Sequence, residues 1–345
     1  MIILSKKEKK KKKRIGLKIF IVILLILLAI GAYFIVRTNQ LGGGKQGMLA
    51  ALLGHNENTL KNLDPLYVLV LGESVSSDSR LTDTILVCKY DPKTQTGAMM
   101  SIPRDTFTGT NRASASAYYK INNAYQMGQK PENALKAVNK ITGLDIKYYV
   151  IVNTEVLKKL VDAVGGVYFD VPIDMHYIDV TQDLFIDLKA GYQLLDGNKA
   201  EQVVRFRHNN STKRNVTTTY PSDYGVEDYG RMRTQRAFIK ALMEKLLKPE
   251  NILKVGEFMD IFYENVKTNI ELDFIKDYIP YAVNFSTDSL KTEQLPGEDK
   301  FVEATGTWMF FHYESATKKL VNELFLSVPA EEAEDSSNTT KNETN

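Results

Sequence analysis

The sequence predicts an α/β fold, a β-sheet with helices packed on it, set after one transmembrane helix. Three observations predict it. Apolar runs at Leu66–Leu71, Ile85–Val87 and Ala98–Ile102 are separated by polar and turn-forming stretches, as in strands laid side by side. Farther on, Tyr148–Val152, Thr154–Val164 and Val167–Val171 alternate strand, helix and strand, with Gly165-Gly166 closing the helix. Near the start, Ile19–Val36 runs without a single charge directly after a lysine-rich tail.

In order, residues 1–14 form a basic tail and residues 15–36 the membrane span. The uncharged run covers about 27 Å as a helix at ~1.5 Å per residue, close to the hydrocarbon thickness of a bilayer. A cleaved signal peptide is the alternative. The length of the run and the lack of a clean small-x-small site argue against it. The positive-inside rule places the tail in the cytoplasm and everything after Val36 outside. Residues 37–62, with Gly42-Gly43-Gly44, read as a juxtamembrane spacer, and residues 63–328 as the folded extracellular domain. Residues 329–345, rich in Glu, Ser, Asn and Thr, have nothing to bury and read as a disordered tail.

Within the domain, Asp91–Gly97 is dense in turn formers between the second and third strands. Pro131 opens a helix that Gly143 closes. Gly191–Asp196 reads as a turn, and Asp196 as the N-cap of a helix ending near Arg205. A polar loop of about two dozen residues follows, long enough to point to function. It feeds a helix from Gly230 to Leu247. Ile252–Val266, Phe274–Val283 and Trp308–Leu326 read as amphipathic helices, with a strand near Leu290–Leu295.

Composition excludes several functions. The formal net charge is +2, yet residues 1–18 carry nine Lys/Arg against one Glu, so the remainder is net acidic. A nucleic-acid binder would carry its positive charge on the folded domain. Cys88 is alone and sits in an expected strand, where a small buried hydrophobe is the simpler reading. Four histidines are too scattered for a His-rich zinc site, and neither a phosphate-binding glycine loop nor a nucleophile elbow is present.

Charged residues at strand and helix ends carry the chemistry. Glu73, Asp83, Arg104 and Asp105 bracket the first three apolar runs. Carboxylates ligate a hard cation and a guanidinium fork grips phosphate oxygens, so this set can hold a metal ion beside a phosphate. Taken alone, Asp83 is an ordinary strand-entry cap. Joined to Arg104-Asp105, the metal-and-phosphate reading moves ahead. Arg205 and Arg207 flank Phe206, and Arg231, Arg233 and Arg236 crowd the first turns of the next helix, where Arg231 and Gln235 share a face. Cations at a helix N-terminus are unfavourable unless an anion sits between them. The alternative is a set of surface ion pairs with Asp223, Glu227 and Asp228, and the sequence leaves both open.

At this point the chain resembles a family. Leu81-Thr82-Asp83-Thr84, Ser101-Ile102-Pro103-Arg104-Asp105-Thr106, Lys120-Ile121-Asn122-Asn123-Ala124-Tyr125, Leu160–Val167, Arg205-Phe206-Arg207 and Gly230–Arg236 follow the order and spacing of the LytR-CpsA-Psr family. The resemblance implies an α/β sandwich around a central mixed sheet. It also implies an enzyme of the Gram-positive cell surface that moves a glycopolymer (teichoic acid, capsular or related polysaccharide) from an undecaprenyl-pyrophosphate carrier to peptidoglycan, with magnesium. Asp83 resembles the family's metal-linked aspartate. Arg104, Arg205 and Arg207 resemble its pyrophosphate-binding arginines, Lys120 a further phosphate contact, and Arg231 and Gln235 its second arginine motif. Asp105 would orient Arg104, and Asp105 and Asp83 are the candidate bases. The chain departs from many members at Ser74 and Leu81, where an aspartate and an arginine are usual. Glu73 and Arg80 each stand one residue away, and Glu73 is the expected second metal ligand. Hydrolysis of the same lipid pyrophosphate, or binding of lipid-linked glycans without catalysis as a membrane regulator, are the competing functions.

Overall fold

The computed structural model describes residues 26–55, 63–75, 80–126, 130–210, 224 and 228–327. The basic tail, residues 15–25 of the expected span, most of the polar loop before residue 228 and the C-terminal tail lie outside the described residues, as do Asp223, Glu227 and the side chains at Ser74, Arg80 and Leu81. Residues 26–40 form a helix, α1, and no helix among the described residues is long and apolar enough to cross a membrane.

The chain divides into two compact units. The smaller runs through Leu63 and takes in Ile275–Asn284. It contains α1 and α2 (Gly44–Leu52), and is knit by Arg37 Nη2 donating to the His55 carbonyl at 2.8 Å and Asn284 Nδ2 donating to Gln46 Oε1 at 3.0 Å.

The larger unit is built on a mixed six-stranded sheet. In chain order its elements begin with β1 (Leu66–Val75), β2 (Arg80–Asp91) and β3 (Thr96–Ser101), an antiparallel meander. Then come α3 (Ile121–Gln126), α4 (Pro131–Thr142), β4 (Tyr148–Val152) and α5 (Thr154–Ala163). Next are β5 (Val167–Val171), β6 (Met175–Asp179), β7 (Leu184–Leu188), β8 (Gly191–Leu195) and α6 (Gly197–Arg205). They are followed by α7 (Tyr229–Leu246), α8 (Pro249–Ile252), α9 (Val255–Asn265), β9 (Lys267–Thr268) and α10 (Leu272–Ala282), the last of which runs on into the smaller unit. β10 (Leu290–Gln294), β11 (Gly297–Val302), β12 (Thr307–His312) and α11 (Glu314–Val321) complete it. The sheet order is β10-β3-β2-β1-β4-β9, with β10 parallel to β3 and β4 parallel to β1.

Alternation divides the strands between two faces. Leu69, Leu71, Ile85, Val87, Met100 and Ile102 are all buried and pack with Ile121, Leu135, Val138, Phe310, Val321 and Phe325, so α3, α4 and α11 cover one face. The other face carries Thr84 and Ser101, whose side chains meet Gln235 and Arg236 of α7. A second core joins α5, α6 and α7 to the β5–β8 and β6–β7 pairs through Val161, Phe169, Ile186, Val203, Phe206 and Phe238.

Three local readings are corrected. Gly191–Leu195 is a strand paired with β5, because Leu195 alternates into the second core while Tyr192 and Leu194 face out. Trp308–His312 is a strand: Met309 to Phe311 are buried in the β11–β12 hairpin, and the helix starts only at Glu314. The expected helix Ile252–Val266 breaks at Leu253-Lys254 into α8 and α9. Cys88 keeps only partial exposure in β2, and burial pushes its thiol up to about 12.

Candidate active site

The meander supplies the first acid through a register fault. Gly72 pairs with Thr84 and Glu73 with Thr82, so Asp83 is the extra residue of a β-bulge. A bulge frees one residue from the ladder and re-aims its side chain. Gly72 belongs beside it, since a Cβ there would lie 2.8 Å from the Thr84 Cβ. Asp83 turns to Arg104, whose Nη1 donates to Asp83 Oδ1 at 2.7 Å.

Arg104 and Asp105 leave the end of β3 and are clamped by their own backbone. Asn122 N donates to the Arg104 carbonyl at 3.1 Å and Phe310 N to the Asp105 carbonyl at 3.0 Å. Thr106 Oγ1 donates to the Pro103 carbonyl at 2.6 Å. Lys120, just before α3, places Nζ 2.8 Å from Asp105 Oδ1.

The remaining groups arrive from the second half of the chain. Asp228 sits at the N-cap of α7, but its side chain makes no capping hydrogen bond. It faces three guanidinium groups instead: Arg104 Nε at 3.0 Å, Arg207 Nε at 2.7 Å and Arg231 Nη2 at 3.0 Å. Phe206, fully buried against Tyr224, anchors the segment that carries Arg207. Gly230 allows the first turn of α7 to approach: a Cβ there would lie 2.4 Å from the Tyr224 carbonyl oxygen. Gln235 bridges the halves, accepting from Thr84 Oγ1 at 3.3 Å and donating to the Val204 carbonyl at 2.9 Å.

Among the described residues the cluster holds four cations (Arg104, Lys120, Arg207, Arg231) against three carboxylates (Asp83, Asp105, Asp228). Burial lowers the pKa of Arg104, but Asp228, Asp83 and Asp105 outweigh it and the net shift is upward. For Arg231 burial wins, reinforced by the Arg104 and Arg207 charges, and the shift is downward. The Nε atoms of Arg104 and Arg231 are buried without a well-directed hydrogen bond to any acceptor among the described residues. Close guanidinium groups, one of them strained by burial, with donors poorly used by the protein, suit a multiply charged anion.

Two expected members stand apart. Arg205 Nη1 pairs with Glu201 Oε1 at 3.0 Å, one helical turn back, and Nη2 donates to Gln182 Oε1 at 3.1 Å. Glu73 accepts from Tyr125 OH at 3.1 Å, on the α3 side of the sheet. The surface-pair alternative is realised in part, since Asp228 does pair with Arg207 and Arg231, but its side chain is only 14% exposed. The sequence pattern offers Asp228 only as a counter-ion. The signal that could have raised it was the helix start crowded with arginines, which required an anion among them.

No group of three or more His, Cys, Asp or Glu side chains gathers as a metal cage among the described residues. Mg²⁺ is commonly held by one or two carboxylates plus substrate phosphate oxygens. Asp83, a hard oxygen donor beside a cluster suited to phosphate, fits that arrangement.

A profile of the LytR_cpsA_psr family matches residues 38–325. The polyisoprenyl-teichoic acid–peptidoglycan teichoic acid transferase TagV of Bacillus subtilis (strain 168) is 28% identical over 85% of this chain and 73% of its own length. The corresponding TagU of Bacillus cereus (strain AH820) is 30% identical over 76% of this chain and 78% of its own. The crystal structure of B. subtilis TagV superposes with a TM-score of 0.59 at 25% identity, covering 77% of this chain and 99% of that one. Protein gbs0355 from Streptococcus agalactiae shares the fold at a TM-score of 0.63 and 23% identity, over 78% of this chain and 89% of its own. With the motifs in order, the mixed sheet in place and the profile spanning most of the sequence, the chain belongs to the LytR-CpsA-Psr family.

Proposed function

We propose that this chain is a membrane-anchored extracellular phosphotransferase. It would move an anionic glycopolymer, of the teichoic acid, capsular or related polysaccharide type, from an undecaprenyl-pyrophosphate carrier to peptidoglycan, with Mg²⁺ as cofactor. One observation carries the reading: Arg104, Arg207 and Arg231, from three separated segments, converge on Asp228 with Asp83 beside them. The names of the relatives support the substrate and acceptor. The basic tail followed by an uncharged run supports the anchor, with the N-terminus cytoplasmic.

In this reading the diphosphate displaces Asp228 from the guanidinium forks. Arg104, Arg207 and Arg231 hold its oxygens, and Lys120 adds a fourth charge. Gln235, tied to both halves of the chain, fixes the start of α7 against β2. Asp83 would hold Mg²⁺, which when bound would add positive charge at the phosphate oxygens; Glu73, turned to Tyr125, is not placed to join it. An acceptor hydroxyl attacks the phosphorus that bears the glycan. The new P–O bond forms as the bond to the bridging oxygen breaks, and undecaprenyl phosphate leaves with that oxygen. The hydroxyl proton passes to Asp105 or Asp83. Charge stabilisation and positioning supply most of the rate, as in phosphoryl transfer generally.

The test uses the full-length chain in detergent, a lipid-diphosphate-linked glycan and peptidoglycan. Asp83→Ala and Arg104→Ala are each expected to lower turnover by about 10²-fold, the scale for losing one transition-state charge contact. Undiminished turnover in both removes the site. Hydrolysis is the second reading, because Arg104 and Asp83 keep about a quarter of their side-chain surface open to water. Release of free glycan with acceptor present would establish it, and binding of the donor with no turnover would make the protein a glycan-lipid binder.

A further inference from the structure

Beside the candidate active site lies a cleft of about 330 Å³ that the mechanism above does not use. Its walls include Thr108, Tyr118, Tyr119, Lys120, Lys136 and Lys140, and among the described residues no carboxylate lines it. Lys136 and Lys140 are one turn apart on α4 and therefore share a face. Lys140 Nζ donates to the Thr108 carbonyl at 3.3 Å, which ties α4 to the loop after Asp105. Tyr118 and Tyr119 stand edge to face with centroids 5.1 Å apart, and both are unusually open for tyrosine, at 59% and 41% exposed. Lys120 belongs to both places, since its ammonium also pairs with Asp105 at 2.8 Å.

These features select a ligand chemistry. Lys136 and Lys140 bring two ammonium groups to a wall without a carboxylate among the described residues, and Lys120, shared with Asp105, adds a third; together they attract a phosphate or carboxylate. Exposed tyrosine rings offer an apolar face with a polar tip, suited to the C–H face of a sugar whose hydroxyls stay in water. The volume is at the lower end for small-ligand sites, room for one sugar-phosphate unit. A polyprenyl tail would have no use for three lysines. We propose that this cleft is a subsite for the phosphate-bearing sugar chain of the donor, engaged just beyond the diphosphate. The proposal rests on the function argued above. It adds a way to choose the polymer: contacts remote from the reacting phosphorus can be turned into rate and discrimination.

The experiment measures binding, so that it does not depend on turnover. Full-length protein in detergent is titrated with a lipid-free oligo(glycerol phosphate) at fixed salt, with a neutral N-acetylglucosamine oligomer and a soluble muropeptide as parallel probes. Wild type is expected to bind the phosphate oligomer in preference to both. Lys136→Glu/Lys140→Glu, two solvent-facing changes, should weaken that binding at least tenfold. Tyr118→Ala, which keeps every charge, should weaken it about threefold or more. Unchanged affinity in both variants overturns the subsite. So does preference for the muropeptide, which would make the cleft an acceptor site, or for the neutral sugar. If lipid-diphosphate turnover fails while phosphate-oligomer binding follows these changes, the transferase reading falls and the subsite stands.

Discussion

Replacing Asp228 by asparagine tests the charge cluster most directly. The carboxylate touches Arg104, Arg207 and Arg231 within 3.0 Å, and Arg231 is nearly buried. Removing one member of a buried pair costs about 3–5 kcal/mol, because the remaining charge is left uncompensated. Here Arg104 keeps Asp83, while Arg104 and Arg207 retain side-chain exposure of 25% and 30%, so the lower end applies. We expect a loss of about 3 kcal/mol, or roughly 5 °C in Tm for a domain of this size. The same change removes the group with which a diphosphate competes. Inorganic pyrophosphate or farnesyl diphosphate should therefore raise the Tm of Asp228→Asn by more than it raises that of wild type. The assay is thermal unfolding with and without ligand. Equal ligand-induced shifts in the two proteins would refute the idea that Asp228 holds the place of the anion.

Three other outcomes follow from the geometry. Arg207→Ala should lower turnover far more than Arg205→Ala, because Arg205 is engaged with Glu201 and Gln182; similar losses in steady-state rate would show that Arg205 reorients onto substrate. Gly230→Ala forces a methyl against the Tyr224 carbonyl and should cost about 1–3 kcal/mol in chemical denaturation, the scale of overpacking, along with loss of the α7 arginines' alignment. Burial lowers the pKa of His312, so the unfolded chain takes up its proton first as pH falls from about 6.5. Wild type should lose more stability between pH 7.5 and 5 than His312→Asn does, with no further His312 contribution below the folded pKa.

Local signals made much of the fold legible. Pro131 and Gly143 bracketed α4, and Gly143 indeed takes a left-handed φ of 73°. The Asp196 side chain caps α6 by accepting from Lys199 N at 2.8 Å. The β1–β3 meander followed from its apolar runs and the turn at Asp91. What failed were strands whose partners lie elsewhere. Trp308–His312 satisfies a helical period as readily as a strand, and only pairing with β11 decides it. β6 and β7 are only five residues each, too short for periodicity to separate a strand from a turn of helix, so neither is read from the sequence. At the site, residue types could be picked out because arginines and acids at element ends are costly without a partner. Which acid the arginines share could not. Asp228 is chosen by the approach of α7 to Tyr224 and Phe206, a packing event with no local signature.

The register fault in β2 has a consequence for descent. Omitting Asp83 would let Thr84 and Thr82 continue the ladder opposite Gly72 and Glu73 without interruption, so the scaffold has no need of that residue. A paralogue could discard the acid and keep its sheet, its cores and its outward resemblance. Kinship of shape can therefore outlast this acid, and the sheet of a relative does not by itself tell whether the extra position is kept.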